Sequence, residues 1–119
     1  MDKKSIEEDF SFLKQRRGVL AVLIYGSSVT GRNHGRSDID VCIVAPDEDQ
    51  WELWMDVDRK VSGKDKYDFH IFEDLGLRMK HRVMENHEVL WSRDEPRLQE
   101  YFYKYRELWK DQAKARKVA

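Results

Sequence analysis

Asp38 and Asp40 close a polar stretch, GSSVTGRNHGRSDID at residues 26–40, that opens on Gly26-Ser27. Aspartates are poor strand formers and repel one another at close range. Their place at the head of an apolar run, IDVCIVA at 39–45, therefore needs a reason other than folding. Side chains in a strand alternate faces, which turns both carboxylates to one side and Ile39, Val41 and Ile43 to the other, toward the helices. Two carboxylates so placed ask for a cation between them. A hard divalent cation such as Mg²⁺ suits the need, because it prefers carboxylate oxygen and can hold a phosphate at the same time, as in two-metal phosphoryl or nucleotidyl transfer. Gly26 and Ser27 supply the complementary half. Gly26 permits a tight turn and a close backbone approach, and Ser27 offers a hydroxyl and backbone N–H groups, together a small anion cradle. Gly31 and Gly35 give the loop the freedom to return the chain beside the first strand, so cradle and carboxylates meet at one sheet edge. A bare Asp-x-Asp is common and usually ornamental; the Gly-Ser pair, the preceding apolar strand and the spacing decide for a site here.

The elements that must position these groups follow from periodicity. Residues 5–17 place Ile6, Phe10 and Leu13 at helical spacing, and residues 19–25 (VLAVLIY) read as a buried strand. After the strand at 39–45, Pro46 stops the chain and Asp47 is placed to cap a helix at about 48–61, with Trp51, Trp54, Met55 and Val61 facing inward. Residues 62–66 make a turn, and YDFHIF at 67–72 alternates as a third strand. A helix at 75–86, a brief strand at 89–91 and a last helix at about 95–117, with Pro96 in its first turn, complete the pattern. The expected fold is α/β (α+β), a small mixed β-sheet with helices packed on one face, in a single domain spanning 1–119.

Composition bounds the function. The longest apolar run, 19–25, is far short of the roughly 20 residues of a membrane-spanning helix, and residues 1–18 lack the apolar core of a secretory signal. The only cysteine, Cys42, allows no internal disulfide and fits a reducing cytoplasm, where it reads as a small core residue. Charged residues reach 38% but nearly cancel, to a net −1, so a long nucleic acid is not an expected partner.

Gly26-Ser27, ten intervening residues and Asp38-Ile39-Asp40 together resemble the signature of the DNA polymerase beta nucleotidyltransferase superfamily, and most of all its minimal nucleotidyltransferases. The motif is local, but the order of elements follows the family over nearly the whole chain. The resemblance implies a nucleotidyltransferase fold, Mg²⁺ as cofactor, and transfer of a nucleoside monophosphate from ATP or another NTP to an acceptor. It implies that Gly26 and Ser27 bind nucleotide and that Asp38 and Asp40 hold metal. Many members carry arginine directly after the Gly-Ser pair, where this chain has Ser28. Family catalysts add a third carboxylate from a later strand, and Asp68 is the candidate. Alternation sets Asp68, His70 and Phe72 on one face and Tyr67, Phe69 and Ile71 on the other, so Asp68 can join the pair as metal ligand and general base. Asp65, Glu73 and Asp74 lie in flanking turns and are weaker choices.

The resemblance also points to HEPN-type partner proteins, with which minimal nucleotidyltransferases form toxin–antitoxin pairs, the antitoxin transferring AMP to a toxin tyrosine. Two alternatives stand beside it: a non-catalytic subunit that binds nucleotide or covers a partner, and a small-molecule or RNA-end nucleotidyltransferase. His34, His70, His81 and His87 show no metal-ligand grouping, although His70 shares the face of Asp68. Arg82 and His87 have the Arg-x-x-x-x-His spacing of the HEPN RNase motif, but HEPN domains are all-helical and the strands here rule that fold out. In the last helix Leu98, Tyr101, Phe102, Tyr105, Leu108 and Trp109 form an aromatic stripe wider than so short a chain easily buries, which leaves some rings for a partner or a homodimer.

Overall fold

The computed structural model of the chain describes residues 2–26, 29 and 38–118, with side chains up to residue 115. Its centre is β1 (Ala21–Tyr25), five apolar residues that are all buried. A strand buried on both faces has no use for alternation, which is why AVLIY reads as a continuous apolar run. β1 pairs antiparallel with β2 (Ile39–Val44) on one side and with β4 (His87–Ser92) on the other. β3 (Tyr67–Ile71) joins β2 in parallel, giving a mixed four-stranded sheet of order β3-β2-β1-β4. The parallel pair needs a crossover, and α2 (Gln50–Lys60) provides it.

The sheet divides the apolar side chains into two cores. Ile6 and Phe10, at and just past the end of α1 (Lys3–Asp9), and Leu13 of the 3₁₀ turn Ser11–Gln15 pack with Leu53 and Val57 of α2 against Val22, Ile24, Val41 and Ile43. On the opposite face Val83 and Met84 of α3 (Leu77–Glu85) and Leu98 and Phe102 of α4 (Glu95–Val118) pack against Leu23, Tyr25, Cys42 and Val44. Phe72 is the hub of this second core, with the rings of Phe102, Tyr105 and Tyr101 at 5.3, 5.5 and 5.9 Å. Full burial of one such ring is worth roughly 1.5–3 kcal/mol. The mixed sheet is as expected from the sequence, but the helices cover both of its faces rather than one.

A second correction concerns α2. The inward residues are Leu53, Asp56 and Val57, whereas Trp51, Trp54 and Met55 are 71%, 41% and 46% exposed. Asp56 can be buried because Arg16 reaches it at 3.0 Å, Lys60 at 3.2 Å and Arg59 at 3.3 Å. Burial alone would push its carboxyl up, but these partners outweigh burial and hold it below the usual carboxylate range. The helix is capped by Asp49, whose carboxylate accepts from the Glu52 N–H at 3.0 Å, and not by Asp47, which pairs with Arg97 at 2.6 Å. Val61, at the end of α2, is buried as expected.

The end of the sheet where β2 finishes is densely tied. The Leu20 N–H donates to the Val44 carbonyl at 2.7 Å, and the Ala45 N–H donates to Glu73 Oε1 at 2.8 Å. The Arg93 guanidinium donates to the carbonyls of Val19, Lys14 and Arg16 at 2.9–3.0 Å. Arg16 in turn pairs with Glu48 at 2.7 Å. Among the described residues no helix is long and apolar enough to cross a membrane.

Candidate active site

At the other end of the sheet, β1 finishes where β2 and β3 begin, and the residues singled out for chemistry meet there. Asp40 and Asp68 are partners in the parallel register of β2 and β3. Neighbouring strands lie roughly 4.8 Å apart, so two carboxylates on one face at this pairing are close neighbours. Both lie on the face of the second core, since Cys42 and Val44 follow Asp40 at intervals of two and belong to that core. Cys42 is fully buried there, and burial holds its thiol well above the ordinary range.

Gly26 closes β1 with φ +66°, a left-handed conformation that only glycine adopts without strain. A Cβ at this position would stand 3.1 Å from Asp40 Oδ2, so the carboxylate rests against the glycine backbone. The Gly26 carbonyl accepts from the Val29 N–H at 3.1 Å, which starts the turn after the strand.

A cleft of about 310 Å³ opens over these groups, lined by Tyr25, Gly26, Asp40, Asp68, His70, Met79 and Arg82. Its electrostatics are those of crowded negative charge. Burial pushes the Asp40 carboxyl above its ordinary value, the charges of Asp68 and Asp38 push it further, and His70 partly opposes them. Asp38 precedes β2 and is exposed, yet its charge reaches Asp40. His70 Nε2 lies 3.2 Å from Asp68 Oδ1, as the shared face predicts. The Tyr25 hydroxyl is held far above its ordinary range by burial and by Cys42, Asp40 and Asp68, with Arg82 pulling the other way.

The donor set suits a hard divalent cation. It is all carboxylate oxygen, and its excess negative charge already disfavours ionisation of Asp40. Among the described residues no three His, Cys, Asp or Glu side chains gather into a protein cage for a metal.

The structure thus brings together Gly26, Asp40, Asp68 and His70, with Asp38 beside them. Ser27, Ser28, Gly31, His34 and Gly35 lie outside the described residues. Glu73 points elsewhere: it is tied to the Ala45 N–H and to the Tyr101 hydroxyl at 2.8 Å each, at the opposite end of the sheet. Asp65 and Asp74 do not line the cleft. His81 stacks on Trp109 at 4.3 Å, and His87 Nδ1 meets the Val83 carbonyl at 3.0 Å, so both are packing residues. Sequence reasoning missed Tyr25, Met79 and Arg82 as cleft residues. Tyr25 had a signal, as the last strand residue before Gly26. Met79 and Arg82 share a face of α3, three residues apart, and nothing in the sequence says which strand that face overlooks.

Comparison with known proteins identifies the relatives of the chain. The family described as polymerase beta, nucleotidyltransferase matches the chain over residues 8–96. A protein of Methanocaldococcus jannaschii, provisionally named a protein adenylyltransferase, is 39% identical over 98 residues, covering 81% of this chain and 74% of the relative. Among solved structures, a toxin–antitoxin with AMP-PNP superposes with a TM-score of 0.72 at 21% identity, over 99% of this chain and 94% of that one. A tri-AMPylated Shewanella oneidensis HEPN toxin in complex with an MNT antitoxin gives a TM-score of 0.68 at 18% identity, over 98% and 94%. At these identities the structural likeness shows the fold.

Proposed function

The chain belongs to the polymerase beta nucleotidyltransferase family, and from that premise we propose that it transfers AMP from Mg²⁺-ATP to a hydroxyl of a HEPN-type partner protein, as the antitoxin of a toxin–antitoxin pair. The observation that carries the reading is the in-register pairing of Asp40 with Asp68 beside the left-handed Gly26. Packing and solubility give no reason to set two carboxylates side by side at the mouth of a cleft, where their repulsion costs stability. The adenylyltransferase relative supports AMP as the transferred group. The neighbours that carry AMP-PNP or an AMPylated HEPN toxin support ATP as donor and such a toxin as acceptor.

Asp38, Asp40 and Asp68 would hold a divalent cation only together with the substrate phosphates, since these side chains do not close a cage on their own. Such an ion, when bound, neutralises phosphate oxygens and positions the triphosphate. Gly26 and Ser27 take the phosphate chain against backbone. Asp68, open to solvent and at the cleft mouth, accepts the proton of the acceptor hydroxyl as its oxygen bonds to the α-phosphorus and pyrophosphate leaves. His70, 3.2 Å from Asp68, fixes the orientation of that carboxylate. The site of action is the cytoplasm, where ATP and reduced thiols are found.

Calorimetric titration with ATP, with and without Mg²⁺, tests the core of the reading. Clear binding with the metal and weak binding without it is expected; equal affinity in both would remove the metal-bridged site. Incubation with Mg²⁺-ATP and a HEPN-type partner protein should then add the mass of AMP to that partner. Binding of the partner without a mass change would favour a covering subunit instead.

A further inference from the structure

We propose that Arg82 grips the phosphate chain of the nucleoside triphosphate, as the positive wall of a cleft whose other wall is carboxylate. This rests on the nucleotidyltransferase reading and deepens it by assigning a phosphate-binding residue outside the Gly-Ser motif.

Arg82 sits in the last turn of α3, and Met79, one turn earlier, lines the same cleft. The helix is held rigidly, because the residues that follow Arg82, Val83 and Met84, are 0% and 3% exposed in the second core. The backbone under the guanidinium is therefore fixed while its head is open to solvent. Arg82 is the one permanently cationic side chain among the described residues that line the cleft.

The charges that act on Asp40 are those of Asp68, His70 and Asp38, and Arg82 is not among them. It acts on the Tyr25 hydroxyl, on which Asp40 and Asp68 also act with the opposite sign, and all four side chains line the one cleft. A cation lining the same cleft as Asp40 and Asp68 matches a ligand that is negative on one side and metal-bridged on the other. A triphosphate has that form: one flank meets the carboxylates through the cation, and the other presents oxygens to a guanidinium fork. A monophosphate has a single phosphoryl group to offer to the two.

The test is calorimetric titration of the full chain with ATP, ADP and AMP in Mg²⁺, for wild type, Arg82→Ala, Arg82→Gln, Arg82→Lys and Arg78→Ala. Arg78 is exposed on the same helix but does not line the cleft. Loss of a charge-assisted contact should weaken ATP by about tenfold or more in the Ala and Gln variants. AMP should change by less than about twofold, so the preference for ATP over AMP collapses. Lys should restore part of it, and Arg78→Ala should behave as wild type. The inference is overturned if ATP binds the Ala and Gln variants as it binds wild type. Equal weakening of ATP and AMP, or the same loss in Arg78→Ala, overturns it too. Failure of the wild type to bind any nucleotide is a separate result, and it brings down the underlying reading before any variant is compared.

Discussion

Replacing Gly26 with alanine separates what the cleft needs from what the fold needs, provided Gly63→Ala is made beside it. Gly26 and Gly63 are the two described residues with positive φ, +66° and +65°. Left-handed backbone costs a residue with a Cβ roughly 1–2 kcal/mol. At roughly 4 °C per kcal/mol for a chain of this size, both variants should melt about 4–8 °C below wild type. Their side-chain surroundings differ. At Gly63 the new Cβ would stand 2.7 Å from Lys66 Cε, on a flexible side chain that can swing into solvent. At Gly26 it would stand 3.1 Å from Asp40 Oδ2, which must give by a few tenths of an ångström within the crowded acidic cluster. A catalytic constellation tolerates displacements of only about 0.5 Å. Mg²⁺-ATP affinity should therefore fall about tenfold or more in Gly26→Ala and stay at the wild-type value in Gly63→Ala. Differential scanning fluorimetry gives the stabilities and calorimetry the affinities, on the same samples. Wild-type affinity in Gly26→Ala, or matched losses in both variants, would refute the argument that Asp40 works while resting on the Gly26 backbone.

Two further predictions concern the carboxylates. Asp40→Asn should abolish transfer and leave apo stability equal or higher, since it removes one charge from a repelling cluster. The sign with pH follows from the raised carboxyl: its contribution favours the native state below the ordinary aspartate value of about 3.9 and is lost as pH rises through the higher native value. Apo wild type should accordingly lose stability relative to Asp40→Asn over that interval in melts at stepped pH; a variant that is much less stable throughout would make Asp40 structural. Asp68→Asn leaves Asp38 and Asp40 to hold Mg²⁺-ATP, so binding should weaken far less than single-turnover transfer, which should fall by about 10²–10⁴-fold, the usual worth of a positioned base. An unchanged rate would take the role of base away from Asp68.

Much of this was written plainly in the sequence, for reasons that can be named. The runs 19–25 and 39–45 declare their strands because a doubly covered sheet admits only apolar residues along its centre. Asp38, Asp40 and Asp68 stand out because they interrupt or precede that pattern. Alternation alone carried Asp68 and His70 to one face, and their 3.2 Å contact bears it out. The errors arose where periodicity is ambiguous. α2 carries one stripe of Trp51, Trp54 and Met55 and another of Leu53 and Val57, and large rings draw the eye to the first. The outcome was set by Asp56, which lies on the second stripe and is admitted to the interior by Arg16, forty residues away in the chain. No local pattern reports such a partner. Trp54 is not idle on the outside, since its ring lies 5.7 Å from Phe69 and shields the edge strand. The assignment of helices to one face failed similarly: the apolar stripes of α3 and α4 show that they pack, and only their contacts with Leu23, Tyr25, Cys42 and Val44 show which side they cover. Arg82 was legible as a charge and illegible as a wall of the cleft.

The separation of the two sheet ends has a consequence for how this protein can change over generations. Glu73, Arg93, Arg16 and the carbonyls they satisfy lock the end where β2 finishes, while Gly26, Asp40, Asp68 and Arg82 occupy the end where it starts. Substitutions at the exposed residues around the cleft can therefore accumulate without loosening the knot at the far end of the sheet. New acceptors become reachable by drift at those positions at little cost in stability. Laboratory evolution can exploit the same partition. A library confined to the exposed residues around the cleft explores specificity on a fixed scaffold, whereas one that touches Glu73 or Arg93 gives up hydrogen bonds that hold the far end of the sheet together.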